Sequence, residues 1–129
     1  MKNLFLLEVS CMVGFLVILL MTSPYTSQNS HTAIELCRAA RRKDISVQLH
    51  LFMDAPINAN RNIDTMKEVV NYAKEIELLI EEGVLVTFCP MCATYRGLRE
   101  EDFVPGVQKM PLLEFAENVA LADAFLTLA

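Results

Sequence analysis

Two kinds of apolar pattern alternate along the chain. Residues 15–21 (F-L-V-I-L-L-M) form an unbroken apolar run, the pattern of a parallel strand covered on both faces. Residues 46–53 (S-V-Q-L-H-L-F-M) alternate instead, with Val47, Leu49 and Leu51 on one face and Gln48, His50 and Phe52 on the other. A polar pair on one face predicts an edge strand or a subunit contact. Leu85–Phe88 and Ala124–Leu128 are two further short runs of strand character. Helical spacing separates them. Over 33–43, Ile34, Cys37, Ala40 and Arg41 fall near one face, with Ser30 or Thr32 placed to cap. Over 64–82, Met66, Val69, Val70, Ala73, Ile76, Leu79 and Ile80 recur at three and four residues, which predicts a long helix capped by Asp64 and ended by Gly83. Pro111 suits the first position of a last helix, which turns Leu112, Phe115, Ala116, Val119 and Ala120 inward. Residues 22–30 and 54–63 read as polar loops, and 98–110 as a longer acidic loop expected to serve as a lid or docking surface. The order β-α-β-α-β-α-β predicts an α/β fold with a mainly parallel sheet.

The first 21 residues are strongly apolar, with Lys2 near the start, as in a signal peptide or membrane anchor. Glu8 interrupts the run, no small-x-small cleavage site follows it, the next residues being Thr22, Ser23 and Pro24, and residues 15–21 are needed as a strand. The expectation is an apolar N-terminal extension over 1–12, an added strand or an oligomer contact, ahead of one domain over 13–129. The protein is expected in the cytoplasm, although the apolar segment leaves a membrane open. A chain of 129 residues that is 53% hydrophobic has material for a buried core. The net charge of −5 provides no basic surplus for a phosphate backbone, so nucleic acid is not an expected partner. The one basic run, Arg38, Arg41, Arg42 and Lys43, closes a predicted helix, where it complements the dipole.

Chemistry concentrates at V-L-V-T-F-C-P-M-C-A-T-Y-R-G, residues 84–97. A strand that runs into a turn and a short helix puts Cys89 at the carboxyl end of the sheet, where open α/β sheets bind ligands. Backbone N–H groups at the helix start and the Arg96 cation are expected to favour its thiolate. Cys92 completes a C-x-x-C; of the other cysteines, Cys11 and Cys37, the second reads as a small buried hydrophobe. Four scattered cysteines with one close pair fit a reducing compartment and a single thiol site. One C-x-x-C supplies two zinc ligands, and His31 and His50 are not spaced to complete the set, so no metal is expected. A thiol–disulfide pair, a persulfide carrier and two inert buried cysteines remain open. The persulfide carrier needs one activated thiolate, positive potential and a pocket, without base, metal or cofactor. Met21, Met53 and Met91 are candidates for its soft rim, or core filler. His50 reads as a structural histidine, and Asp54, just past a strand, as a rim residue or a turn residue.

These features together resemble a known group. C-P-M-C-A-T-Y-R-G-L, the later P-G-V, the closing A-D-A-F-L-T-L, the T-S-P-Y after the first strand and the L-F-M-D-A after the second are similar to the DsrE/DsrF-like family, nearest its YchN-like branch, over residues 15–128. The resemblance implies a three-layer α/β/α subunit that assembles into trimers or hexamers, and transfer of sulfur as a cysteine persulfide between donor and acceptor proteins. By that likeness Cys89 is the sulfur-carrying cysteine and Cys92 the second cysteine of the branch. Arg96 and Gly97 match the R-G of the family. Tyr25 and Asp54, from the two strand-end motifs, are expected with Gly97 on the substrate side of the site.

Overall fold

The computed structural model describes residues 14–129; the expected extension over 1–12, Cys11 and the start of the domain at 13 lie outside them. Five strands, β1 (Phe15–Leu20), β2 (Ser46–Leu51), β3 (Leu85–Phe88), β4 (Gln108–Lys109) and β5 (Ala124–Leu128), form one sheet in the order β4-β3-β2-β1-β5. Every neighbouring pair is parallel. Helices α1 (Asn29–Arg42), α2 (Tyr72–Glu81), α3 (Pro90–Thr94) and α4 (Leu112–Leu121) connect them. The unbroken apolar run is β1, flanked by β2 and β5. Among the described residues, no helix is long and apolar enough to cross a membrane.

The pleat of β1 divides two cores. Ile18 and Leu20 join Val47, Leu49, Leu51 and Val86 beneath α1 and α2, where Ile34, Cys37, Ile76 and Leu79 meet them. Phe15 and Val17 point the other way, onto Phe115 of α4 and Met110. The helices therefore cover both faces of the sheet. Arg38 ties α1 to α2 through Glu75 and Glu82, and Arg41 donates to the carbonyls of Glu82 and Ile45. The basic run thus joins helices as well as ending one.

The edge expected from Gln48 and His50 is overturned: β2 is the middle strand, and both side chains are fully buried. They are affordable there because they pair with each other's neighbours. Asn118 Nδ2 donates to Gln48 Oε1 at 2.8 Å, Gln48 Nε2 donates to Thr87 Oγ1 at 3.0 Å, and Thr87 Oγ1 lies 2.7 Å from His50 Nδ1. The His50 ring stacks on Phe115 at 4.1 Å. Drawing Asn118 inward also sets the rotation of α4. Phe115 and Asn118 are its buried residues, while Leu112, Ala116 and Ala120, expected inside, are exposed. Pro111 is its N-cap residue and stands outside the first turn.

The long helix expected over 64–82 forms only from Tyr72. Asn71, in an extended conformation, caps it by accepting from Lys74 N at 3.2 Å; Asp64 does not cap. Val69-Val70 is a β-branched pair, and the Tyr25 hydroxyl donates to Val70 O at 2.7 Å, holding the segment outside the helix. Its apolar residues then face solvent, Met66 at 75% exposure. Helix α1 begins earlier than expected, behind Gln28, so neither Ser30 nor Thr32 is its cap and Ser30 is buried within it. The stretch 98–110 carries β4 and a 3-10 turn, Glu100–Asp102, and is pinned down by buried Phe103 and Val104, with Phe103 stacked on Phe88 at 4.2 Å.

Candidate functional site

The chain leaving β2 leads to α2 on one face, and the chain leaving β4 leads to α4 on the other. Such a divergence opens a crevice at the carboxyl ends of the strands. Here it holds a groove of about 870 Å³, lined among others by Met53, Cys89, Met91, Cys92, Tyr95 and Leu112. Its walls are overwhelmingly apolar.

Cys89 is the residue that turns strand into helix. Its N–H continues the ladder to Leu51 O at 3.0 Å, and its carbonyl accepts the first helical bond, from Ala93 N at 3.1 Å. Pro90 follows at the first helical position. Helix α3 lasts five residues because Gly97 N returns to Thr94 O and Leu98 N to Ala93 O, with Gly97 at φ +73°, a Schellman ending. One turn after Cys89 stands Cys92. Both are almost buried, at 7% and 8% exposure, yet both reach the groove.

The amide that meets a sulfur comes from elsewhere than the expected helix start. Pro90 has no N–H, and the Cys89 side chain makes no cap hydrogen bond. Met53 N–H instead donates to Cys92 Sγ at 3.2 Å. Arg96 likewise engages other partners: Nε meets Asp54 Oδ1 at 2.6 Å and Nη1 donates to Cys92 O at 3.1 Å. The pair fastens α3 to the turn after β2. Burial pushes the Cys92 thiol up, and the neighbouring Cys89 side chain adds to the rise; the Met53 amide and the Arg96 charge act the other way.

Of the expected substrate-side residues, Asp54 is brought to the cysteines through Arg96. Tyr25 packs its ring on Tyr72 at 5.1 Å and its hydroxyl on Val70 O, outside the groove lining. Gly97 ends α3 and lines an adjacent cleft with Phe88, Pro90 and Leu98. Met53 and Met91 line the groove and Met21 does not. Cys37 is buried under α1, and burial pushes its thiol up to about 12, which makes it inert. Among the described residues, no group of three or more His, Cys, Asp or Glu is placed to hold a metal. The Met53 amide, Tyr95 and the contribution of Leu112 escape a sequence reading; only the methionine's position directly after a strand pointed toward the rim.

A parallel α/β sheet that presents a cysteine pair in an apolar groove at its carboxyl rim defines a thiol-bearing α/β protein. The profile of the DsrE/DsrF-like family matches residues 16–128, and the chain belongs to that family. It is 28% identical to the protein YchN of Escherichia coli K12 over 113 residues, covering 87% of this chain and 97% of YchN. The crystal structure of YchN from E. coli superposes with a TM-score of 0.83 at 27% identity, over 90% of this chain and all of that one; these likenesses place the chain in the YchN-like branch. An uncharacterized protein of Methanopyrus kandleri, MK0008, is 29% identical over 111 residues, 86% of this chain and 91% of its own length. MTH1491 from Methanobacterium thermoautotrophicum, a protein of unknown function, shares the fold at a TM-score of 0.69 and 11% identity, over 88% of this chain and 99% of that one.

Proposed function

We propose that this protein is a sulfur carrier of the sulfurtransferase type, acting in a reducing compartment such as the cytoplasm. The Cys89 thiolate attacks the outer sulfur of a donor persulfide. A bond forms between Cys89 Sγ and that sulfur, the donor S–S bond breaks, and its electron pair leaves with the donor thiolate. The sulfur keeps its oxidation state and rests as Cys89–S–SH until an acceptor thiolate removes it in the same way. The observation that carries this reading is Cys89 at the carboxyl end of β3, opening into an apolar groove beside a second thiol. An apolar wall suits a polarizable sulfur chain better than a charged substrate. Family membership supports a place in sulfur relay chemistry. In this reading Arg96 and Asp54 hold α3 in place, and Gly97 ends α3 at the adjacent cleft.

The carrier is further proposed to work as a homo-oligomer, a trimer or hexamer. Supporting it, Leu113, Leu121, Phe125 and Leu126 leave apolar surface on α4 and the edge strand β5. Donor and acceptor proteins would then approach the groove. Mass spectrometry after incubation with a sulfane donor tests the carrier: one added sulfur is expected on wild type and none on Cys89→Ser, and an adduct unchanged in that variant would reject it. Failure of wild type to take up sulfur would reject it. The placement of the two cysteines one helical turn apart in one groove favours one second reading, a dithiol that cycles with a disulfide. That reading requires a reversible Cys89–Cys92 oxidation with a defined potential, and it fails if Cys92→Ser leaves all activity intact.

A further inference from the structure

The groove over Cys89 and Cys92 has walls of one chemical kind. Met53, Met91, Tyr95 and Leu112 all line it and all are exposed. Apolar side chains of that size left in water around one cavity point to a ligand that covers them. The cavity, about 870 Å³, has the size of a small-molecule site. Among the described residues, Arg96 is the one charged side chain in its lining. That charge is already matched: Nε meets Asp54 Oδ1 at 2.6 Å, and Nη1 donates to Cys92 O at 3.1 Å. Met53 N–H, at the same rim, is engaged by Cys92 Sγ at 3.2 Å. Helix α3 is five residues long and opens on Pro90, which has no N–H, so its start offers an anion little. The net charge of −5 acts in the same direction. A divalent oxyanion entering this groove would lose its hydration and meet an ion pair and apolar walls, with little to balance the loss. An uncharged chain of divalent sulfur has no such hydration to lose, and its polarizable atoms suit thioether and ring walls.

We propose that the groove is a binding site for free, uncharged sulfane sulfur, with elemental sulfur as the type ligand, and that it discriminates against sulfur oxyanions such as thiosulfate. The proposal rests on the carrier reading of Cys89 above and adds a source to it, a free molecule besides a donor's persulfide. The Cys89 thiolate attacks one atom of the sulfur ring. A bond forms between Cys89 Sγ and that atom, one ring S–S bond breaks, and its electron pair moves to the far end of the opened chain. Nothing leaves; Sγ is oxidised, the terminal sulfur is reduced, and water supplies the proton it takes up. An acceptor thiolate then attacks that terminal sulfur, carries it off as a persulfide and leaves the chain one sulfur shorter. Thiosulfate would load the same atom by expelling sulfite, so the two donors can be compared at Cys89.

Two measurements on the full chain test this. The first removes the thiols of the groove: equilibrium dialysis of a variant carrying Cys89→Ser and Cys92→Ser against radiolabelled elemental sulfur or radiolabelled thiosulfate, counting exchangeable label. Elemental sulfur should bind saturably and thiosulfate should not. Adding Leu112→Lys should weaken the sulfur binding about tenfold, because a charge replaces an apolar wall. The second is the rate of sulfur addition to Cys89 at neutral pH, resolved by peptide mass spectrometry. Elemental sulfur, thiosulfate and cysteine hydropersulfide are compared, each rate divided by that on free cysteine. The ratio should exceed one for elemental sulfur and fall below one for thiosulfate. Leu112→Lys, which brings a cation, and Asp54→Asn, which frees one, should each raise thiosulfate relative to elemental sulfur about tenfold, the worth of one charged hydrogen bond. The proposal is overturned if thiosulfate binds or loads as readily as elemental sulfur, if neither substitution shifts their ratio, or if the hydropersulfide loads Cys89 and elemental sulfur does not. Sulfur binding unchanged by Leu112→Lys also overturns it, since the ligand then lies on another apolar surface. Uptake from none of the three donors would instead reject the carrier reading, and dialysis would still decide what the groove binds.

Discussion

His50 carries an imidazole in the middle of the sheet with no exposure to water. Thr87 meets Nδ1, Phe115 stacks on the ring, and Nε2 has no hydrogen-bond partner. Burial lowers its pKa to about 4, against 6.5 in an unfolded chain. Above 6.5 the ring is neutral in both states and the fold keeps its full stability. As pH falls toward 4 the unfolded chain binds a proton that the folded one refuses, so stability is lost over that window. Urea unfolding is expected to show a loss of about 2 kcal/mol between pH 7 and pH 5, from 1.36 kcal/mol per unit. His50→Gln removes that part of the slope; an unchanged pH dependence would show that the ring is not held neutral. Cys37 gives a second test at this scale. Its thiol, buried and pushed up to about 12, is expected to resist alkylation in the native protein and to react on unfolding.

At the scale of elements, two glycines with positive φ separate backbone strain from crowding. Gly97, at φ +73°, ends α3, and a Cβ there would meet nothing within 4 Å. Gly97→Ala should cost about 1 kcal/mol, the conformational term alone. At Gly106, φ +94°, a Cβ would sit 2.9 Å from Ile80 Cγ2 in α2. Gly106→Ala adds overpacking of about 1–3 kcal/mol to the same strain, and chemical denaturation should rank it clearly below Gly97→Ala. The polar chain from α4 to β3 makes another element-level prediction. Asn118→Ala leaves Gln48 Oε1 buried without its donor, so a loss of about 1–3 kcal/mol is expected. Proteolysis should then begin at α4, since that side chain ties the helix to the sheet.

For the whole molecule, the unequal covering of the sheet is the main feature. One face is closed by α1 and α2, while α4 alone covers part of the other and leaves Phe125 of β5 half-exposed there, at the sheet's edge; Leu113 and Leu121 of α4 are exposed as well. In the homo-oligomer proposed above, those residues are the expected contact between copies. Light scattering on Leu113→Glu or Phe125→Glu should report a smaller assembly than wild type, because a buried, unpaired carboxylate opposes association. An unchanged mass for both variants would place the contact elsewhere.

Much of this architecture is written in local pattern. An unbroken apolar run such as 15–21 admits little besides a strand covered on both sides, and a strand ending in C-P-M-C places the cysteines at a rim before any coordinates exist. The family followed from the spacing of such motifs. Hydrophobic period carries less about partners distant in sequence. It read Gln48 and His50 as an edge because Thr87 and Asn118, which satisfy them, lie 39 and 70 residues from Gln48. It extended a helix back to Asp64 because the Tyr25 contact that holds Val70 spans 45 residues. It missed β4 because two residues show no period. The cysteine pair, its place in the chain and the class of fold were thus determined by sequence. Which sulfur receives the Met53 amide, and where Arg96 spends its charge, depended on backbone turns converging in space, since a hydrogen bond between residues 39 or 42 positions apart leaves no trace in local order.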